Sequence, residues 1–130
     1  MSGVRQEPVA VLVVDDLPSF RQAAASMIAL TDGFSLAGEV ASGEEAIAFL
    51  EQRPVGLVLM DVNMPGLSGI ETARWIRHRF PRIEVVLLSV YSVEDLSRDA
   101  RAVGAAFCPK DRFGPDELEA LWDNGGRARP

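Results

Sequence analysis

The segment Val9–Val14, VAVLVV, is apolar at every position and mostly β-branched, and it stops on two adjacent carboxylates, Asp15 and Asp16. A strand with one wet face alternates apolar and polar residues. A run without alternation has both faces covered, as in a parallel sheet flanked by helices. The pattern recurs: residues 34–41, 55–60, 83–88 and 105–108 read as four further strands, each followed by a helical pattern.

Pro18 suits a first helical turn, and the helix it opens carries Phe20, Ala24, Met27 and Ile28 at helical spacing. Ser42-Gly43-Glu44-Glu45 opens a second helix, running to Gln52, with Ile47 and Leu50 inward. Residues 68–80 place Ile70, Ala73, Ile76 and Phe80 on a core stripe, residues 93–103 do the same with Leu96 and Ala100, and residues 116–123 form the last helix. Five βα units in series predict an α/β fold: a doubly wound, five-stranded parallel sheet joined by right-handed crossovers.

A chain of 130 residues makes one domain able to bury a core, and its 48% apolar and 25% charged residues match ordinary globular proteins. The domain is expected over residues 1–123, with NGGRARP, residues 124–130, as a flexible tail or the start of a linker. No apolar run approaches the ~20 residues that span a bilayer. The start, MSGVRQEPVA, lacks a signal-peptide core, and the single Cys108 excludes an internal disulfide. A cytoplasmic location without membrane contact is the expectation. A net charge of -6 argues against direct nucleic-acid contact by this domain. Of the 13 basic residues twelve are Arg, and the lone lysine, Lys110, marks a place where a compact ammonium is needed.

Ligands of such sheets bind at the carboxyl ends of the strands, near the switch in strand order. Strand one ends in Asp15 and Asp16, strand three in Asp61, strand four in Ser89, and strand five leads to Lys110. In LVLMDVNMPG the apolar run closes on Asp61, which could be a turn former, a metal ligand or a nucleophile, before Met64-Pro65-Gly66 breaks the chain. Three crowded carboxylates repel and require a cation among them. Oxygen ligands without a nearby His or Cys point to a hard ion; Mg²⁺ fits best, with Mn²⁺ as its substitute. Lys110 adds a second positive charge. Two cations around one carboxylate suit a transferring phosphoryl group, whose charge spreads over its equatorial oxygens.

From about Val9 to Leu121 the chain resembles a receiver domain of a bacterial two-component response regulator, through VVDD, LVLMDVNMPGLSGIE, VVLLS and GAAFCPKD. The wording of DDLPSFR, SVYS and PKD looks like the branch that usually carries a C-terminal helix-turn-helix. The resemblance implies the flavodoxin-like (βα)5 receiver fold and a phosphorylation-dependent switch controlling an output such as transcription. By it, Asp61 accepts the phosphoryl group from a sensor histidine kinase or a phosphotransfer protein. Asp16 binds Mg²⁺ directly, Asp15 helps mainly through water, and Asp61 and the backbone carbonyl of Asn63 complete the metal set. Ser89 and Lys110 bind phosphoryl oxygens. Ser89 and Phe107 form the switch that alters the face of helix four, strand five and helix five, with homodimerisation on phosphorylation as a possible outcome. The domain is then no turnover enzyme, although it promotes its own phosphorylation and dephosphorylation.

Three positions depart from the family pattern. Val90 is bulkier than the usual small residue, Phe107 lacks the frequent tyrosine hydroxyl, and Asp111 follows Lys110 where many members have proline. The alternative is a pseudo-receiver, a docking module without phosphorylation, yet no acidic, hydroxyl or lysine position is missing. A haloacid-dehalogenase-type phosphatase needs an acid two residues after its nucleophile, where this chain has Asn63. A flavin carrier needs a Ser/Thr-rich phosphate loop after strand one, and none is present. His78, among Arg74, Arg77, Arg79 and Arg82, reads as part of a solvated basic face; Trp75, Trp122 and Cys108 read as packing residues, and Tyr91 as either a neighbour of the site or a surface tyrosine.

Overall fold

The computed structural model describes residues 7–90 and 94–127. Its elements alternate: β1 (Val9–Val14), α1 (Pro18–Leu30), β2 (Phe34–Val40), α2 (Gly43–Gln52), β3 (Leu57–Asp61), α3 (Gly69–Arg79), β4 (Glu84–Ser89), α4 (Glu94–Ala102), β5 (Ala106–Pro109) and α5 (Pro115–Trp122). A single 3-10 turn, Lys110–Arg112, follows β5, and a π-type turn, Asp123–Arg127, follows α5. Val93, expected to start α4, and Tyr91 lie outside the described residues.

The strands are all parallel, in the order β2-β1-β3-β4-β5. The absence of alternation in the strand sequences has a direct structural counterpart. Leu12, Val14, Val58, Met60, Val85 and Leu87 pack with Ala46 and Leu50 of α2, Ala73 and Ile76 of α3 and Ala100 of α4. Their immediate neighbours Val11, Val13, Leu57, Leu59, Val86 and Leu88 pack with Ala24 and Ile28 of α1 and Leu118 of α5 on the other face. Successive strand residues point to opposite faces, so a sheet covered twice needs apolar residues at odd and even positions alike.

Strand ends differ from the sequence expectation by a residue or two. β3 begins at Leu57 rather than Val55 and includes Asp61. Backbone bonds explain both shifts: the Gly56 N–H donates to the Ala10 carbonyl at 2.9 Å, and the Val62 N–H donates to the Leu88 carbonyl at 2.9 Å. Helix starts follow their caps. The Ser42 hydroxyl accepts from the Glu45 N–H, and Ser68 with Glu71 forms a reciprocal capping box at α3. Leu17 supplies no side-chain cap to α1, where Pro18 occupies the first turn.

Candidate phosphoryl and metal site

Strand order reverses direction between β1 and β3, and the carboxyl ends of these neighbours form the crevice where α/β sheets bind ligands. There the fold gathers Asp15, Asp16 and Asp61, with one carboxylate oxygen from each lying within 4.8 Å of the others. Asp15 is buried at the end of β1. One of its oxygens accepts from the Leu17 N–H at 2.9 Å, and the other lies 2.7 Å from Lys110 Nζ. That second oxygen is shut away from solvent, so the ammonium is its charge partner. Lys110 also lies 3.3 Å from Asp61 Oδ1. One ammonium thus bridges the ends of two strands that are not its own.

Three carboxylates, two of them buried and Asp16 more exposed, and one ammonium leave an excess of negative charge. The electrostatic result falls on Asp61. Burial first, then the Asp15 carboxylate, pushes its pKa from the ordinary 3.8 up to about 6, against the opposing pull of Lys110. The oxygen-only donor set and an excess of negative charge suit a hard divalent cation.

The site's surroundings hold it rigidly. Gly69, the first residue of α3, donates its N–H to the Val62 carbonyl at 2.9 Å, and a Cβ there would overlap the Asp61 carbonyl oxygen. Only glycine lets α3 approach the end of β3 this closely. Gly66, at φ +79°, supplies the left-handed turn that returns the chain from Asp61 to α3.

Two residues escaped the sequence reading. Phe20 places its ring 4.4 Å from Lys110 Nζ, a cation–π contact that steadies the ammonium. Arg21 donates from Nη1 to the Asp15 carbonyl at 2.7 Å and pairs with Glu39 at 3.5 Å, tying β1 to β2. Ninety positions separate Phe20 from Lys110 in sequence, so periodicity gives no hint of the first contact.

Other expected residues lie nearby without joining the cluster. Ser89 ends β4 and is fully buried, one residue beyond Leu88, which pairs in register with Asp61. Asn63 is exposed in the loop after β3. Phe107 is half-buried on β5 opposite Leu87 and packs into the core on the α2–α4 side. The solvated basic face on α3 needs one correction. His78, Arg74 and Arg79 are exposed as expected, but Arg77 folds inward, donating from Nη1 to the Pro81 carbonyl at 2.7 Å and the Ile83 carbonyl at 2.5 Å. It also approaches the buried Glu84 at 4.0 Å. Trp75 packs edge-on against Phe80 at 5.9 Å between centroids, Trp122 packs beside Leu118, and Cys108 is buried.

Parallel strands in this order, with an acidic crevice bridged by a lysine, define a receiver-type α/β domain. The chain belongs to the response regulator receiver domain family, whose model matches residues 11–122. It is similar to the nitrate/nitrite response regulator protein NarL of Escherichia coli (strain K12), at 33% identity over 117 residues covering 89% of this chain and 54% of that protein. It is also similar to the transcriptional activator protein ExaE of Pseudomonas putida, at 38% identity over 99 residues, covering 73% of this chain and 44% of that protein. The receiver domain of a NarL response regulator from Mycobacterium tuberculosis superposes with a TM-score of 0.86 at 27% identity, covering 95% of this chain and all of that one. The chain spans about half the length of the curated relatives it matches. A receiver is a signalling domain of two-component response regulators rather than a classical enzyme. Among the described residues no helix is long and apolar enough to cross a membrane.

Proposed function

We propose that Asp61 is a phosphoacceptor and that its phosphorylation switches the domain between two packings. The observation that carries this reading is the Lys110 bridge, 2.7 Å from Asp15 and 3.3 Å from Asp61, in a crevice that still holds excess negative charge. One Asp61 oxygen attacks the phosphorus of a phosphohistidine on a sensor kinase or phosphotransfer protein. The P–O bond forms as the P–N bond breaks; its electron pair returns to the imidazole, and the product is an acyl phosphate. A rigid strand end fixes the nucleophile, and a pKa of about 6 leaves it mostly ionised at neutral pH.

Asp16 and Asp61 would hold Mg²⁺, or Mn²⁺ in its place, with Asp15 acting mainly through water and Asn63 through its backbone carbonyl. When bound, the ion neutralises charge on the phosphoryl oxygens. Ser89 and Lys110 bind the remaining phosphoryl oxygens. Ser89 then draws inward and Phe107 takes the space released, which alters the face made by α4, β5 and α5. That coupling is worth a few kcal/mol at most. The domain assists its own phosphorylation and dephosphorylation, and its output is transcription, exerted through another domain and accompanied by homodimerisation.

Intact mass after incubation with acetyl phosphate and Mg²⁺ tests the chemistry. One added phosphoryl group, dependent on Mg²⁺ and absent from Asp61→Asn, is the expected result. No adduct, together with no change in tryptophan fluorescence on adding beryllofluoride, would instead leave a docking module that works without phosphorylation.

A further inference from the structure

The amino end of the sheet, opposite the acidic crevice, carries a second concavity of about 510 Å³. Its floor is apolar, made by Leu50, Val55, Phe80 and Ile83, and its rim carries Arg53, Arg79 and Arg82. Among the described residues none of the three arginines is in an ion pair. Arg53 lies 5.6 Å from the Phe49 ring centroid and Arg79 lies 4.7 Å from that of Phe80, so both guanidinium groups rest beside apolar surface while the residues stay exposed to solvent. Glu51 is the one acidic residue in the lining. A basic rim of this kind stands out in a chain whose net charge is -6.

The walls are built in advance of any ligand. One is the α2–β3 connection, where the Arg53 N–H donates to the Phe49 carbonyl at 2.9 Å and the Gly56 N–H to the Ala10 carbonyl at 2.9 Å. The other is the α3–β4 connection, pinned by Arg77 to the Pro81 and Ile83 carbonyls and by the Ile83 N–H to the Phe80 carbonyl at 3.0 Å. A pocket of a few hundred Å³ with an apolar floor and charged donors at its rim has the properties of a small-molecule site. We infer that this pocket binds a small amphipathic anion: an apolar or aromatic body seated on Leu50, Val55 and Ile83, with a carboxylate, sulfonate or phosphate met by Arg53, Arg79 and Arg82. Planar guanidinium forks suit such oxyanions better than ammonium groups do. This inference is independent of the phosphoryl chemistry, because it uses none of the same residues.

The test is an NMR titration of the isotopically labelled 130-residue chain with naphthalene-2-sulfonate, and with the uncharged 2-naphthylmethanol as control. The expected result is saturable amide shifts concentrated in residues 50–55 and 79–83, with the sulfonate binding more tightly than the alcohol. Arg79→Gln and Arg82→Gln should each weaken the sulfonate by up to about fivefold, the range of solvent-accessible charge pairs, and leave the alcohol unchanged. Equal affinity for the two probes, or shifts centred elsewhere, would overturn the inference. So would shifts at these same residues on raising protein concentration without probe, since the face would then be a contact between two copies. Because both arginines are exposed, their variants keep the fold, and far-UV circular dichroism checks that they do.

Discussion

The two ends of one sheet hold charge in opposite ways. At the carboxyl end, the buried Asp15 and Asp61 share one ammonium, with Asp16 beside them at the more open edge, and Asp61 responds with a raised pKa. At the amino end, three arginines stand around an apolar floor with their charges open to solvent. Like charges in water cost little; like charges in a crevice cost several kcal/mol unless a counter-ion arrives. The sheet's carboxyl end is set to respond to added charge, whereas its amino end holds basic side chains without strain on the fold.

The largest separation between the ends should come from removing the central cation. Lys110→Met leaves buried carboxylates uncompensated and should cost about 3–5 kcal/mol at pH 7 in urea unfolding. If it unfolds at the same denaturant concentration as the parent, the crevice is not under electrostatic tension. Titration of Asp61 sharpens the point. Its folded pKa of about 6 lies above the ordinary 3.8, so the folded state binds that proton more tightly than the unfolded state. Its contribution is therefore present in full below pH 3.8 and is lost as pH rises towards and through 6. The size is on the order of 3 kcal/mol, and Asp61→Asn should remove that part of the pH slope. Saturating Mg²⁺ should flatten it in the parent, because a cation favours the ionised carboxylate. A slope left intact by Asp61→Asn would place the titration on another group.

A smaller effect is expected at the cap of α3. Ser68→Ala removes the hydroxyl that accepts from the Glu71 N–H at 3.1 Å and should cost about 1 kcal/mol, read in the same unfolding assay. Least of all, Arg79→Gln at the amino end should stay within about 0.5 kcal/mol, as surface substitutions usually do. A loss there comparable with that of Lys110→Met would erase the contrast.

The sheet was legible because burial on two faces leaves an unmistakable mark, a solid apolar run that ends where a functional side chain is needed. Asp15, Asp16, Asp61, Ser89 and Lys110 could be placed at one edge from strand ends alone. Contacts between distant segments left no such mark. The Phe20 ring against Lys110 and the Arg21 guanidinium on the Asp15 carbonyl depend on how α1 returns over the strand ends, which no local pattern specifies. The amino-end pocket was hidden for a related reason. Arg77, Arg79 and Arg82 look alike in sequence, yet Arg77 braces a loop from inside, while Arg79 and Arg82 line the opening.

The close seat of Gly69 against the Asp61 carbonyl has a mechanical consequence. With α3 resting on the end of β3 and its first turn locked by the capping box, the backbone that carries Asp61 is anchored ground. A push delivered at Asp61 finds no give on that side. In the proposed switch the response therefore falls to side chains that other elements bring up to Asp61, Ser89 at the end of β4 and Lys110 in the turn after β5, rather than to the backbone beneath it.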